Sequence, residues 1–285
     1  MKKKKIDFTK ILTIVPISFW MIFFVAIPLL YIVFISFMQR GNDGGIVLAP
    51  TISNYTRMGS ALYVKVFWDS IVIAFVTTVF TLGFGYPFAY FAAKIKKFKI
   101  VIMLLLMAPF WTNSLIRTYG WIVILSTGGV LNHTLIITGI IKAPLKMLYT
   151  YGAVIIGMIY TMFPFMVLPI YNSIDKMDRS FVEAAKDLGA SRWKTFRTVT
   201  VPLTMPGIVA GCILVFIPSV GLFFIPDLMG GSNVMLIGNL IRNQFLEARD
   251  WPFGAALSIV MILVSLILIL FYVKIIGKKS DSGVF

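Results

Sequence analysis

Histidine and cysteine are almost missing from this chain of 285 residues, which has one of each, His133 and Cys212. A single thiol forms no internal disulfide, and the two residues together are too few for a His/Cys metal cluster. Acids are scarce too, 11 against 26 lysines and arginines, and all charged residues make up only 13% of the sequence. No G-x-x-x-x-G-K-[ST] phosphate loop occurs; Gly277-Lys-Lys279 lacks both the earlier glycine and the hydroxyl residue. No nucleophile–base pair or metal constellation can be assembled, so the sequence offers no catalytic residue and no metal site, and any energy from ATP must come from a partner. What is abundant is apolar surface. The chain is 59% hydrophobic, whereas soluble domains sit near ~45–50%, so it is an integral membrane protein. The net charge of +15 does not point to nucleic acid, because the cations lie in short clusters between apolar runs, where they set topology.

A run of about 20 apolar residues crosses a bilayer as helix. Six are expected, at about 11–37, 67–93, 100–125, 152–172, 204–226 and 254–276. The first is too long for a signal-peptide core and is kept as a span. Eighteen of the 26 cations fall on one side: Lys2 to Lys10, Lys94 to Lys99, Lys176 to Arg197, and Lys274 to Lys279. The positive-inside rule places that side, and both termini, in the cytoplasm. The loops at about 38–66, 126–151 and 227–253 then face outward, among them the aromatic, mixed-charge stretch 243–254, which fits either docking of a binding protein or an ordinary re-entrant loop. With no soluble domain, low-complexity tract or repeat, the chain reads as a single all-α membrane domain over 1–285.

One cytoplasmic segment is longer than the rest. In Ser180-Phe-Val-Glu183 the spacing predicts a capping box, Ser180 accepting from the Glu183 amide while Glu183 reaches back. Phe181, Ala184, Ala185 and Leu188 share one face of a short helix, and Gly189 stands where a left-handed terminus is wanted. Ser191 is placed to cap a second helix, with Trp193, Phe196 and Thr200 on one face and Pro202 ending it. Periodicity alone leaves open an amphipathic helix resting on lipid.

The spacing narrows this. Glu183-Ala-Ala185, three residues, Gly189, nine residues, then Val199-Thr-Val-Pro202 resembles the EAA motif of ABC importer permeases, with Val in place of the family's Ile and Leu. "YPFAYFAAK" (86–94), "APFWTNSLIRTYGW" (108–121), "FPFMVLPIYNSIDKMD" (163–178), "DLMGG" (227–231) and "RDWPFGAA" (249–256) extend the likeness over nearly the whole chain, to the permeases that carry spermidine and putrescine. The resemblance implies six transmembrane helices of the type I importer kind in a bacterial inner membrane. It implies that Glu183, Ala184, Ala185, Gly189 and Arg192 couple the chain to an ATPase dimer. It implies as further partners a second permease, making a heterodimer, and an extracytoplasmic polyamine-binding protein. No cofactor is expected on this chain; ATP and Mg²⁺ belong to the ATPase. The alternatives are the same architecture carrying an anion or metal chelate, which basic residues deep in the spans would favour, and a secondary transporter, which would need an ion-coupling carboxylate inside a span. Neither feature is found.

A path for polycations calls for aromatic faces, each worth ~0.5–2 kcal/mol to a cation, and a few acceptors. Phe110, Trp111 and Asn113 in the third span, where Pro109 kinks the helix, and Phe223 and Asp227 at the outer end of the fifth are the expected lining. Packing accounts equally for Asn113, and capping or an ion pair with Arg242 or Arg249 for Asp227. Tyr160 and Tyr171 are further candidates. Arg117 is expected near the outer interface, snorkelling to water, and Gly207 and Gly211 form a small-xxx-small contact.

Overall fold

The computed structural model describes residues 8–42, 44–95 and 97–281. They include six helices long and apolar enough to cross a membrane: Ile14–Ser36, Ala61–Lys94, Ser114–Ile137, Tyr151–Asp175, Arg192–Gly221 and Trp251–Leu270. The chain forms two compact units, one of residues up to Tyr63 with Leu240–Val264, the other of Val64–Asn239 with residues from Ser265 on.

In the first unit α1 (Phe8–Met21) and α2 (Ile27–Ser36) run on through a π-turn, Ile22–Ala26, whose closing bond joins the Ile27 amide to the Ile22 carbonyl. Pro28 follows at once. A proline cannot donate to the residue four before it, and the wider turn absorbs that loss. This helix has no buried residue from Ile14 to Phe34, and only Ile35 and Ser36 at its end are buried, which suits lipid or another protein.

Beyond it a hairpin, β1 (Met38–Arg40) against β2 (Ile46–Pro50), turns on Gly44 and Gly45, both with positive φ. α3 (Ser53–Arg57) is anchored by Asn54, whose buried Nδ2 donates to the carbonyls of Ser36 and Met38 at 2.9 Å each. Arg57 donates from Nη1 to Asp250 Oδ2 at 2.8 Å, and Asp250 is 1% exposed. Burial lowers the Arg57 pKa, but its bonds to Asp250 and Tyr63 outweigh that, so it ends above the usual arginine value. Asp250 Oδ1 accepts the Phe253 amide and so caps α13 (Trp251–Asp281). The aromatic stretch 243–254 is therefore the end of α12 (Ile237–Leu246), a tight turn with Arg249 at φ 51°, and the start of α13.

The second unit is built on α8 (Tyr151–Asp175) and α11 (Val201–Gly221), which pack closely against each other. Gly207 and Gly211 let their backbones meet: a Cβ on Gly207 would stand 2.6 Å from the Pro169 carbonyl oxygen, and one on Gly211 2.8 Å from Met166 Sδ. The small-xxx-small reading holds. Against this pair lies α4 (Ala61–Lys94), with Gly85 opposite Met166, and Tyr86 within 3.1 Å of Thr204. Met166, Val167, Ile170 and Val215 are fully buried there, while Ile225, Met229, Val154 and Leu236 fill a second cluster.

The third apolar stretch departs from expectation. It is not one helix over 100–125 kinked at Pro109. α5 (Lys99–Met107) passes into a 3₁₀ turn, Ala108–Trp111, and stops. Thr112 and Asn113 are extended, and Asn113 Oδ1 accepts the Leu115 amide at 2.8 Å to start α6 (Ser114–Leu125); α7 (Val130–Ile137) follows. An Asn two residues after a 3₁₀ turn finds the cap geometry more favourable than mid-helix. The apolar window therefore lies at Ser114–Ile137, with Lys99–Trp111 a shorter helix of its own.

Candidate functional site

Two regions of the second unit carry the residues singled out above. The first is the segment after α8. α9 (Ser180–Asp187) begins earlier than the motif suggested, because Arg179 is already helical. Ser180 is thus inside the helix and makes no cap. Asp178 does so instead, its Oδ1 accepting the Ser180 amide at 2.9 Å, a bond that holds the Asp178 carboxyl below the usual range. Glu183 does not reach back: its carboxylate has no hydrogen bond or ion pair among the described residues. It lines a cavity of about 380 Å³ with Tyr90, Lys94, Arg179, Lys186 and Arg192.

The C-terminal end matches expectation. Gly189 has φ +79°, its amide bonds to the Lys186 carbonyl, and the Ala190 amide bonds to the Ala185 carbonyl. These are the two bonds of a Schellman motif. No atom crowds Gly189, so only its left-handed backbone calls for glycine. Ser191 Oγ accepts the Lys194 amide at 3.3 Å and starts α10 (Arg192–Thr195). Pro202 does not end that helix. A π-turn, Phe196–Thr200, carries the chain without interruption into α11, as at Pro28.

The outcome is a basic helix–turn–helix whose apolar side chains are left uncovered. Phe181 is 56% exposed, Leu188 89% and Trp193 70%. Trp193 stacks on Phe196, which in turn meets Tyr86 and Tyr90 edge-on at 5.7 Å. The exposed face is thereby tied to the core through rigid rings.

The second region is an aromatic groove of about 700 Å³ lined by α4, α5, α6 and α8. Phe110 stacks on Tyr160 with centroids 6.3 Å apart, and Trp121 meets Tyr160 edge-on at 5.7 Å. The Arg117 guanidinium lies over Phe110 at 4.1 Å and Tyr160 at 5.8 Å. Nε and Nη1 are both buried, although the side chain as a whole is only half-buried. The expected lining is not gathered in one place. Trp111 points outward at 80% exposure, and Asn113 uses its carbonyl oxygen as a cap. Phe223 pairs with Phe224, and Asp227 is exposed one turn along. Trp121 was not singled out in the sequence; its signal was the i, i+4 spacing from Arg117, which places both on one face of α6.

Among the described residues, six helices long and apolar enough to cross a membrane and an exposed, glycine-hinged helical pair are the features of a polytopic membrane subunit. Residues 85–280 match the family described as binding-protein-dependent transport system inner membrane component, and the chain belongs to it: it is an ABC importer permease. It is 48% identical over 272 residues to the spermidine/putrescine transport system permease protein PotB of Escherichia coli (strain K12), covering 94% of this chain and 99% of that one. To PotB of Haemophilus influenzae it is 46% identical, covering 95% and 96%. The fold also matches a chain in a crystal structure of a bacterial alginate ABC transporter in complex with an alginate pentasaccharide-bound periplasmic protein. The TM-score there is 0.74, at 16% identity, over 93% of each chain.

Proposed function

We propose that this permease passes spermidine and putrescine into the cell by alternating access, as one of two different permease subunits working with an ATPase dimer and an extracytoplasmic polyamine-binding protein. The reading is carried by the 48% identity to a spermidine/putrescine permease over 94% of the chain. ATP and Mg²⁺ act on the ATPase. Glu183, Ala184, Ala185, Gly189 and Arg192 form the element that the ATPase moves, with both termini on the same, cytoplasmic face. Its exposed Phe181, Leu188 and Trp193 supply apolar area for docking, and the Trp193–Phe196–Tyr90 ring contacts connect that area to α4 and α11. Phe110 lines the outer path within the aromatic groove, while Trp111, Asn113, Phe223 and Asp227 meet the path from separate positions and not as one cluster.

The deciding experiment is uptake of labelled spermidine, with putrescine as competitor, by cells lacking their own polyamine import and expressing this chain with its partner subunits. Uptake is expected in wild type and lost in Gly189→Asp. An assembled, ATP-hydrolysing complex that takes up no polyamine would sink the substrate assignment and leave the importer standing. Asp227→Asn combined with Trp111→Ala is expected to cut uptake at least tenfold; unchanged uptake removes those two from the path.

A further inference from the structure

Arg117 sits where a cationic ligand would bind. It belongs to α6, inside the apolar window Ser114–Ile137, and its guanidinium covers Phe110 at 4.1 Å and Tyr160 at 5.8 Å. Nε and Nη1 are buried, and neither has a hydrogen-bond partner among the described residues. No carboxylate lines the groove: its walls are Phe84, Phe88, Trp121, Phe163 and aliphatic side chains beside those two rings. A buried guanidinium nitrogen ordinarily finds a carboxylate or carbonyl. Among the described residues, these two find only π faces.

A ring quadrupole attracts an ammonium as well as a guanidinium. A face that holds a guanidinium also holds an ammonium, and two cations cannot share it, because like charges about 4 Å apart repel strongly in an apolar setting. We infer that the facing surfaces of Phe110 and Tyr160 are a subsite for the ammonium or guanidinium end of an organic cation, and that Arg117 is a tethered cation filling this subsite until a ligand displaces it. The inference rests on the polyamine reading and assigns it a site. A tethered competitor acts at high effective concentration. It weakens ligand binding at the rings without altering them and refills the subsite once the ligand leaves, as a transit site requires.

A merely structural Arg117, clamping the two rings, leads to the opposite result, because its removal would loosen the site and weaken binding. The test is equilibrium binding of labelled spermidine to the assembled importer in lipid nanodiscs, without binding protein or nucleotide. Arg117→Gln is expected to raise affinity roughly tenfold, and adding Phe110→Leu to it is expected to abolish the gain. Arg117→Lys keeps a cation but stacks less well, so its affinity should fall between wild type and Arg117→Gln. If Arg117→Gln does not assemble, the Lys variant decides: affinity at or below wild type overturns the inference. Wild-type binding with no gain in Arg117→Gln overturns the tethered cation alone and leaves the polyamine reading intact. Binding of spermidine by neither protein overturns the subsite, and uptake by the assembled importer then decides the polyamine reading.

Discussion

At the scale of single residues, two kinds of glycine behave differently, and substitution separates them. Gly189 is surrounded by open space but held at φ +79°. Side chains that tolerate the left-handed region should therefore replace it best. Uptake is expected to fall in the order Gly, Gly189→Asn, Gly189→Val, and an Asn variant no better than Val would show that contact, not backbone, is at stake. Gly207 has ordinary helical geometry but no room, a Cβ meeting Ser173 Cβ at 2.5 Å and the Pro169 oxygen at 2.6 Å. Gly207→Ala must part α8 from α11, at about 1–3 kcal/mol. Gly83→Ala, with nothing within 4 Å, should be neutral or slightly stabilising. Thermal unfolding in detergent should lower Tm for the first alone. The conformational requirement at Gly189 was legible from a glycine following the pattern Ala184, Ala185, Leu188. Its lack of neighbours was not, because spacing along a helix says nothing of what stands opposite.

At the scale of elements, the breaks were harder to read than the runs. Pro109 suggested a kink, yet the helix ends two residues on, at Trp111, and Asn113 caps the next one. Pro202 suggested a terminus, yet a π-turn carries the helix past it. Proline removes one donor in either setting. The chain stops after Pro109, where Asn113 caps a new helix, and widens before Pro202, as it does before Pro28. Ser180 and Glu183 spelled a capping box, but Asp178 competes two residues earlier and wins the first amide. The aromatic stretch 243–254 was left between a docking surface and a plain loop. Its fold is a helix–turn–helix held by Asp250, which pairs with Arg57 and caps α13. Asp250→Ala leaves the Phe253 amide and the Arg57 guanidinium without that partner, at about 1–3 kcal/mol. Arg57→Leu in the same chain should recover part of the loss, and a double-mutant cycle of melting temperatures measures the share.

At the scale of the whole molecule, much apolar surface stays outside the two core clusters. The first apolar helix is exposed from Ile14 to Phe34 apart from a few half-buried positions, and α9 and α10 present Phe181, Leu188 and Trp193 outward. Leu188 is 89% exposed, so Leu188→Glu should leave unfolding within about 0.5 kcal/mol of wild type while reducing copurification of the ATPase several-fold. Retained ATPase with the charge in place would move the docking surface elsewhere. An unmatched glutamate costs little in water but much when pressed into a hydrophobic contact, so the variant separates folding from assembly.

The sequence by itself determined the membrane class, the number of spans and the family. Each follows from composition, run length or fixed spacing, properties that survive without knowing which residues meet. The EAA spacing and the glycine hinge belong to the same category, being local. Only the tertiary structure decided that the Arg117 guanidinium lies on Phe110 and Tyr160. The sequence had sent that charge toward water because a cation within an apolar run has no partner visible along the chain. Its partners are rings 7 residues before it and 43 after, on different helices. Only the packing of α6 against α8 brings them within reach.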